Sequence, residues 1–242
     1  MLLYHGTSET KLNKILKNRT IKPRGNKGKG NWEHTIVSAP DRVYLTDAYA
    51  GYFAANVAKD NERWAIIEVD TDYLNENNFR PDEDCIAQLA YNDPNFNEVW
   101  GDKPVKEYQL LELTQFVREN IHLWTDKWRE TLHVMGTCSY KGNIPTTAII
   151  RYALFDTNTN TQMALAACDP SITPMNYKFK GATYKAITKW LMGEKITLEE
   201  YEPMMNEIEK SGLAIDHLNN WKKHIENMLS NQHVEIHDFS HN

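Results

Sequence analysis

Cysteine is scarce in this 242-residue sequence, and its distribution excludes two ways of stapling a fold. The three cysteines, Cys85, Cys138 and Cys168, are widely spaced, which bears on both disulfide bonds and zinc sites. An odd number at such distances does not form a disulfide framework, and no two of them have the spacing of zinc ligands. We therefore expect reduced thiols, no metal site and a cytoplasmic protein.

Long apolar runs and excess charge are also lacking. No stretch approaches the roughly 18 apolar residues of a membrane span, and we find no basic and apolar regions of a signal peptide at the N-terminus. The net charge is -6, so any contact with nucleic acid requires a local basic patch. Hydrophobic residues at 41% and charged residues at 25% are ordinary for a globular chain. We expect no membrane partner.

The first eight residues carry the first functional signal. Apolar residues lead into His5, Gly6 and Thr7, and a helical pattern with Leu12 and Ile15 on one face follows at once. A strand that ends in this way brings an imidazole, a bare backbone and a hydroxyl group to one point. The same pattern also fits a buried strand whose histidine only caps a turn.

A second signal lies in residues 42–47, which read as a short strand before a helix rich in alanine and aromatic residues at 48–56. In this order and spacing, the stretches LYHGTS and RVYLTD resemble the ADP-ribosyltransferase fold of the diphtheria-toxin and poly-ADP-ribose-polymerase type. The resemblance is clearest over residues 1–75. It implies an α+β fold with a split, mostly antiparallel β-sheet, and NAD as the donor of ADP-ribose.

The resemblance also implies roles for residues in both stretches. His5 would bond a ribose hydroxyl, Gly6 would let the backbone grip the carboxamide of nicotinamide, and Thr7 belongs to the same cofactor-binding turn. Tyr44 would stack on the pyridinium ring, with a cation–π contribution of about 1–2 kcal/mol. Tyr52 approximates a second tyrosine of the polymerase branch. We expect His5 and Tyr44 to lie at strand ends and to face one cleft.

The loop at residues 22–31 is basic and contains three glycines, so it does not form a regular element. One interpretation is a solvated loop. The resemblance implies instead a flap over the dinucleotide, with Lys22 and Arg24 near its phosphates. We expect such a flap to be mobile without ligand.

The sequence departs from the family at its third element, a glutamate at the start of a late core strand. Residues 137–140 contain no carboxylate. Glu130 is the closest acidic residue before that strand, and it is our catalytic candidate for stabilising positive charge on the ribose. At helical spacing Glu130 also falls away from the apolar stripe of Trp124, Trp128 and Leu132, as a solvated residue would.

Other patterns organise the middle of the chain. The apolar run at 64–70 predicts a central strand, and the segments 147–155 and 162–167 predict a hairpin. Residues 81–84 have the composition of an acidic helix start. The tryptophans in the helical pattern of 103–135 are expected in the core.

From about residue 171 the pattern becomes helical, so we expect a transferase-like NAD-binding domain at 1–170 and a C-terminal helical appendage at 171–242. His233, His237 and His241 are spaced by four, as metal ligands on a helix would be. A frayed or docked tail is the preferred interpretation of this terminal segment.

The expected function is that of an NAD-dependent ADP-ribosyltransferase that modifies a protein, RNA or DNA, such as a toxin or a phage-defence effector. An antitoxin or another protein is a further partner to test. The sequence lacks the arginine and Ser-Thr-Ser run of the arginine-specific toxin branch. Two alternatives stay open: an NAD-dependent RNA 2'-phosphotransferase, and a catalytically degenerate module that binds NAD or a partner.

Overall fold

The computed structural model describes residues 1–25, 38–59, 61–83, 112, 115–116, 119–156, 188–194 and 234–239. These residues form nine strands: β1 (Leu2–Ser8), β2 (Thr20–Ile21), β3 (Arg42–Thr46), β4 (Trp64–Asp70), β5 (Phe79–Pro81), β6 (Thr137–Lys141), β7 (Ile144–Pro145), β8 (Ile149–Phe155) and β9 (Glu235–Asp238). Seven of them make one sheet in the order β5-β6-β3-β1-β4-β8-β9, and β2 pairs with β7. All these pairs are antiparallel.

The described helices are few and short. They are α1 (Glu9–Asn18), α2 (Ala50–Val57) and α3 (Trp128–Met135), with single 3-10 segments at Thr71–Tyr73, Glu76–Asn78, Ile121–Lys127 and Thr146–Ala148. None of the helices in the described ranges is long and apolar enough to cross a membrane. The protein is therefore an α+β protein with a mostly antiparallel sheet, which confirms the coarse fold class predicted from the sequence.

The apolar run of β4 becomes an interior strand because both of its faces are covered. Ala65, Ile67 and Val69 belong to one buried cluster, and Trp64 and Ile66 belong to the other. Alternating side chains of a strand point to opposite faces, so an amphipathic pattern is not expected where both faces are buried. The predicted central strand is confirmed.

The two faces of the sheet carry different helices. Leu12 and Ile15 of α1 and Trp128 and Leu132 of α3 pack on the face that we call the α1 face. Ala50 and Ala54 of α2 pack on the opposite face, the α2 face, against Tyr4 and Trp64. The expectation that tryptophans of the 103–135 pattern lie in the core is confirmed for Trp124 and Trp128, which are buried.

The described parts of residues 171–242 pack on this sheet. Trp190, Leu191 and Met192 are buried in the α2-face cluster, and β9 extends the sheet by pairing with β8. β9 is an edge strand that the helical interpretation of this region missed. The return strand predicted at 162–167 lies outside the described residues, and the domain boundary at 170 stays a prediction.

His237 lies in β9 rather than on a helix. Its ring stacks on Tyr152 at a centroid distance of 4.8 Å, and its Nε2 lies 2.8 Å from Oε1 of Glu235. His233 and His241 lie outside the described residues. No group of three or more metal-ligating side chains is present within those residues.

The N-terminus of α1 is capped from another part of the chain. Ser8 holds the N-cap position but makes no side-chain cap bond. Oε1 of Glu62 instead accepts from the backbone N–H of Thr10 at 2.8 Å, and Oε2 accepts from the N–H of Lys59 at 3.0 Å. Partial burial of Glu62 opposes its ionisation, but these bonds and those from the Thr10 and Ser8 side chains lower its pKa to about 2.

We expect Glu62→Gln to lower the free energy of unfolding by about 1 kcal/mol at pH 7, after allowing for solvent screening. The lowered pKa means that the stabilisation is complete above pH 4.5 and is lost as the pH falls toward 2. Urea unfolding of both proteins at several pH values measures this difference. Glu76→Gln, at an exposed position, is the control. A difference that persists unchanged at pH 2 would contradict the capping role.

Candidate functional site between β1 and β3

The sheet opens between β1 and β3. β1 pairs with β4 along all of its seven residues, but it pairs with β3 only at Tyr4 and Thr46. Beyond that pair, Nδ1 of His5 lies 3.0 Å from the carbonyl oxygen of Tyr44. A side chain thus takes the place of a backbone donor, and it links the two strands where they separate.

His5 and Tyr44 border this opening, but their side chains leave the strands on opposite faces. His5 pairs with Ile67, whose side chain belongs to the α1 face. Tyr44 alternates with Val43 and Leu45, which also belong to the α1 face, so Tyr44 points to the α2 face. The expectation that both side chains face the same side is therefore wrong. What the two residues share is the opening between their strands.

The imidazole of His5 has a defined tautomer. A carbonyl oxygen only accepts hydrogen bonds, so Nδ1 carries the proton that it donates to Tyr44. Burial lowers the pKa of His5, the bond to Tyr44 opposes this shift, and the charge of Lys11 lowers the pKa further. The ring is therefore neutral at pH 7, and its Nε2 presents a lone pair. Such an atom accepts a hydrogen bond from a hydroxyl group.

The lowered pKa of His5 predicts a pH-dependent contribution to stability. Below pH 6.5 the unfolded chain binds a proton that the native imidazole resists, so the free energy of unfolding falls as the pH drops through the window below 6.5. His5→Asn removes the titrating group. We expect the advantage of the wild-type protein over this variant to be smaller at pH 5 than at pH 7.5, as measured by urea unfolding. An advantage that grows on acidification would show that the native imidazole is instead charged.

Gly6 is required for the packing of α2. A Cβ atom at this position would lie 2.0 Å from the carbonyl oxygen of Ala50 and 2.6 Å from the backbone nitrogen of Ala54. Both contacts are with backbone atoms, which cannot move aside as a flexible side chain can. The missing side chain thus lets the helix lie directly on β1, on the side away from His5.

Thr46 joins the start of α2 to Gly136, the residue before β6. Its Oγ1 donates to the carbonyl oxygen of Gly136 at 2.5 Å and accepts from the N–H groups of Ala48 at 3.0 Å and Tyr49 at 2.9 Å. Gly136 has a φ of 70°, the left-handed conformation that ends α3. These bonds hold the end of β3, the start of α2 and the start of β6 together beside the opening.

Tyr44 is tethered through its hydroxyl group. The hydroxyl donates to Oε1 of Glu83 and accepts from the backbone N–H of Ala39 at 2.9 Å. The same N–H also lies 2.9 Å from Oε1 of Glu83. Glu83 is 1% exposed, whereas Tyr44 is half-buried, so the tether is inside the protein and part of the tyrosine reaches solvent.

Arg42 balances the charge of Glu83. Its Nη1 lies 3.4 Å from Oε2 of Glu83, and it also donates to the carbonyl oxygen of Pro81 and to Oγ of Ser139, each at 3.4 Å. Ser139 is the residue opposite Tyr44 on β6, and its hydroxyl lies 3.2 Å from the Pro81 carbonyl. A buried carboxylate is tolerated where a cation and hydrogen bonds compensate it. The late strand therefore contributes a hydroxyl group, not a carboxylate, at this position.

The remaining predicted site residues lie on β1, on α2 and in the segment after β2. Thr7 is buried on β1, Tyr52 is half-buried against the α2-face cluster, and Lys22 is exposed. Arg24 donates from Nη2 to the carbonyl oxygen of Ser38 at 3.3 Å, next to the segment that bonds Tyr44. The rest of the predicted flap, residues 26–31, lies outside the described residues.

Glu130 is directed to solvent. It lies on α3, its side chain is 48% exposed, and its Oε2 is 3.0 Å from Nζ of Lys127, one helical turn away. None of the hydrogen bonds and ion pairs found among the described residues joins it to His5 or Tyr44. Its catalytic role stays a prediction that this position does not favour.

Glu83 is the residue that sequence reasoning missed. It lay in the stretch interpreted as an acidic helix start, where a solvated carboxylate is the usual outcome. One signal was present in the sequence: Arg42 lies in a short apolar strand, and a buried arginine requires an acidic partner. The sequence does not identify that partner, because several acidic residues compete for the role.

Comparison of the sequence with models of known protein families gives no match. Comparison with curated proteins also finds no significantly similar protein.

Proposed function

We propose that the protein is an NAD-dependent ADP-ribosyltransferase that modifies a macromolecule. The observation that carries this proposal is the opening between β1 and β3, which a neutral His5 and the half-buried Tyr44 border from its two sides. An opening in a sheet exposes backbone groups that a neighbouring strand would otherwise bond. A ligand that enters the opening would meet the imidazole of His5 toward the α1 face and the ring of Tyr44 toward the α2 face.

The proposed reaction breaks the bond between C1 of the ribose and the nitrogen of nicotinamide. The bonding electrons leave with nicotinamide, which departs neutral, and a nucleophile of the acceptor forms the new bond to C1. The transition state resembles an oxocarbenium ion, as in glycoside hydrolysis. A site for this reaction must hold the ribose, orient the pyridinium ring and exclude water.

The residues of the opening suit the first two tasks. Nε2 of His5 accepts a hydrogen bond from a ribose hydroxyl because Nδ1–H is committed to Tyr44. The ring of Tyr44 stacks on the pyridinium, whose positive charge favours an aromatic face.

The source of negative charge differs from the family pattern that the sequence resembles. β6 presents Ser139 opposite Tyr44, and the carboxylate bonded to Tyr44 is that of Glu83. Arg42 neutralises much of the charge of Glu83, so this carboxylate is a weak stabiliser of an oxocarbenium ion. We therefore assign catalysis in this protein mainly to the binding and orientation of the donor.

Incubation of the purified protein with cell extract and NAD labelled in its adenylate half tests the proposal. We expect labelled macromolecules and free nicotinamide, and digestion by protease or nuclease identifies the acceptor class. His5→Asn should abolish the transfer, whereas His133→Asn, at an exposed position of α3, should leave it unchanged.

Other outcomes of the same incubation distinguish the alternatives. Removal of a 2'-phosphate from a spliced RNA, with consumption of NAD, would assign the protein to the RNA 2'-phosphotransferases. Binding of NAD without release of nicotinamide would indicate a degenerate binding module. A protein that neither binds NAD nor turns it over would overturn the proposal.

A further inference from the structure

The partners of Glu83 all lie in one stretch of the chain, residues 39–44, far from Glu83 in the sequence. Tyr44 and Arg42 donate from β3, and Ala39 donates from the segment before it, while Glu83 itself follows β5. β5 and β3 are not neighbours in the sheet, since β6 lies between them. The carboxylate thus spans one strand to hold a tyrosine at the edge of the opening.

The hydroxyl of Tyr44 is committed to this network in both directions. Its proton goes to Glu83, and one of its lone pairs accepts from Ala39. A phenol has one proton to donate, so a ligand cannot receive it without breaking the bond to a buried carboxylate. The aromatic ring, rather than the hydroxyl group, is the part of Tyr44 suited to contact a ligand.

The network also restricts the orientation of that ring. A tyrosine side chain has two rotatable bonds before the ring, and an unattached ring at a partly exposed position can turn about both. Fixing the hydroxyl at Glu83 and Ala39 leaves the ring one position beside the opening. Preorganised contacts bind more tightly, because less conformational freedom is lost on binding.

We propose that Glu83 is a positioning residue that fixes the ring of Tyr44 for stacking on a planar, cationic ring, and that it does so without touching the ligand. This inference rests on the proposed function, which supplies the pyridinium of NAD as the ring. It assigns to Glu83 an effect on the nicotinamide end of the donor alone. The ADP-ribose part of the donor is bound independently of Glu83.

The test compares NAD with ADP-ribose, which lacks nicotinamide, in calorimetric titrations of Glu83→Gln, Tyr44→Phe and the double variant. Tyr44→Phe retains the ring and leaves the Glu83–Arg42 pair intact, so it removes only the tether. We expect each single variant to bind NAD about tenfold more weakly, the scale of one stacking contact, and to bind ADP-ribose like the wild type. The double variant should be no weaker than either single variant, because both substitutions break the same bond.

Controls separate positioning from a general loss of structure. Tyr44→Ala, which removes the ring, should weaken NAD binding more than Tyr44→Phe, whereas Glu76→Gln at an exposed site should change nothing. Wild-type NAD affinity in Tyr44→Phe would overturn the proposal even if Glu83→Gln fails to fold. Equal losses for NAD and ADP-ribose would also overturn it, since they would reveal a structural role only.

Unfolding measurements make failure of this proposal distinguishable from failure of the proposed function. If the bond between Glu83 and Tyr44 exists, the effects of the two substitutions on the free energy of unfolding are not additive. Additive effects overturn the positioning role and leave the proposed function standing. If the wild-type protein binds ADP-ribose and NAD with equal affinity, the pyridinium is not the ligand of the Tyr44 ring. If it binds neither compound, the proposed function is overturned as well.

Discussion

Gly6→Ala is expected to be among the most destabilising single substitutions in the protein. The added methyl group would lie 2.0 Å from the carbonyl oxygen of Ala50 and 2.6 Å from the nitrogen of Ala54. Relief of these clashes requires α2 to move away from β1, which disrupts the buried cluster that includes Ala50, Ala54 and Trp64. Overpacking of this kind costs about 1–3 kcal/mol or more, and the rigid backbone atoms at this site favour the upper end.

Thermal unfolding of Gly6→Ala and Gly142→Ala measures the effect. Gly142 has a φ of 94° and no atom within 4 Å of an added Cβ, so its replacement carries only the cost of the left-handed conformation, about 1 kcal/mol. We expect the Gly6 variant to lose clearly more stability, or not to fold. Equal losses for the two variants would show that α2 does not lie as closely on β1.

His5→Asn is expected to abolish ADP-ribose transfer while the protein stays folded. The amide N–H of asparagine can still donate to the carbonyl oxygen of Tyr44, in place of Nδ1 of the imidazole. The variant lacks any atom equivalent to Nε2, which accepts from the ribose hydroxyl in the proposed reaction. We expect turnover to fall at least 100-fold, the scale of losing one interaction that orients the reacting group.

Release of nicotinamide from NAD measures this loss, and circular dichroism with urea unfolding measures the integrity of the fold. His5→Ala removes both ring nitrogens, so it should lose the tether between β1 and β3 as well as the acceptor. Its stability should therefore be lower than that of His5→Asn. If His5→Asn retains wild-type turnover, Nε2 has no part in the reaction, and His5 serves only to hold the strands.

Several features of the fold follow from local sequence. The apolar run of β4, the amphipathic α1 and the short strand at Arg42–Thr46 all appear where their patterns predict them. These signals are local because side-chain alternation and helical periodicity depend on neighbouring residues only. The stretches containing His5 and Tyr44 likewise form strands where the sequence predicts them.

The face of the sheet on which each side chain lies could not be predicted from local sequence. Whether His5 and Tyr44 point to one side depends on the register between β1 and β3, and the single pair Tyr4–Thr46 determines it. A shift of register by one residue would reverse the relation, because successive side chains alternate between faces. Neither strand carries this information within its own sequence.

The sequence by itself indicated several core elements, among them β1, β3, β4 and α1, and it indicated the two stretches that border the opening. Only the tertiary structure decided that Glu62 caps α1, that β9 is an edge strand beside β8, and that Glu83 rather than Glu130 bonds Tyr44. Glu83 and Tyr44 are 39 positions apart, and they meet because β5, β6 and β3 are neighbours in that order. Patterns of hydrophobicity report burial, whereas the partner of a buried polar group is set by the pairing of distant strands.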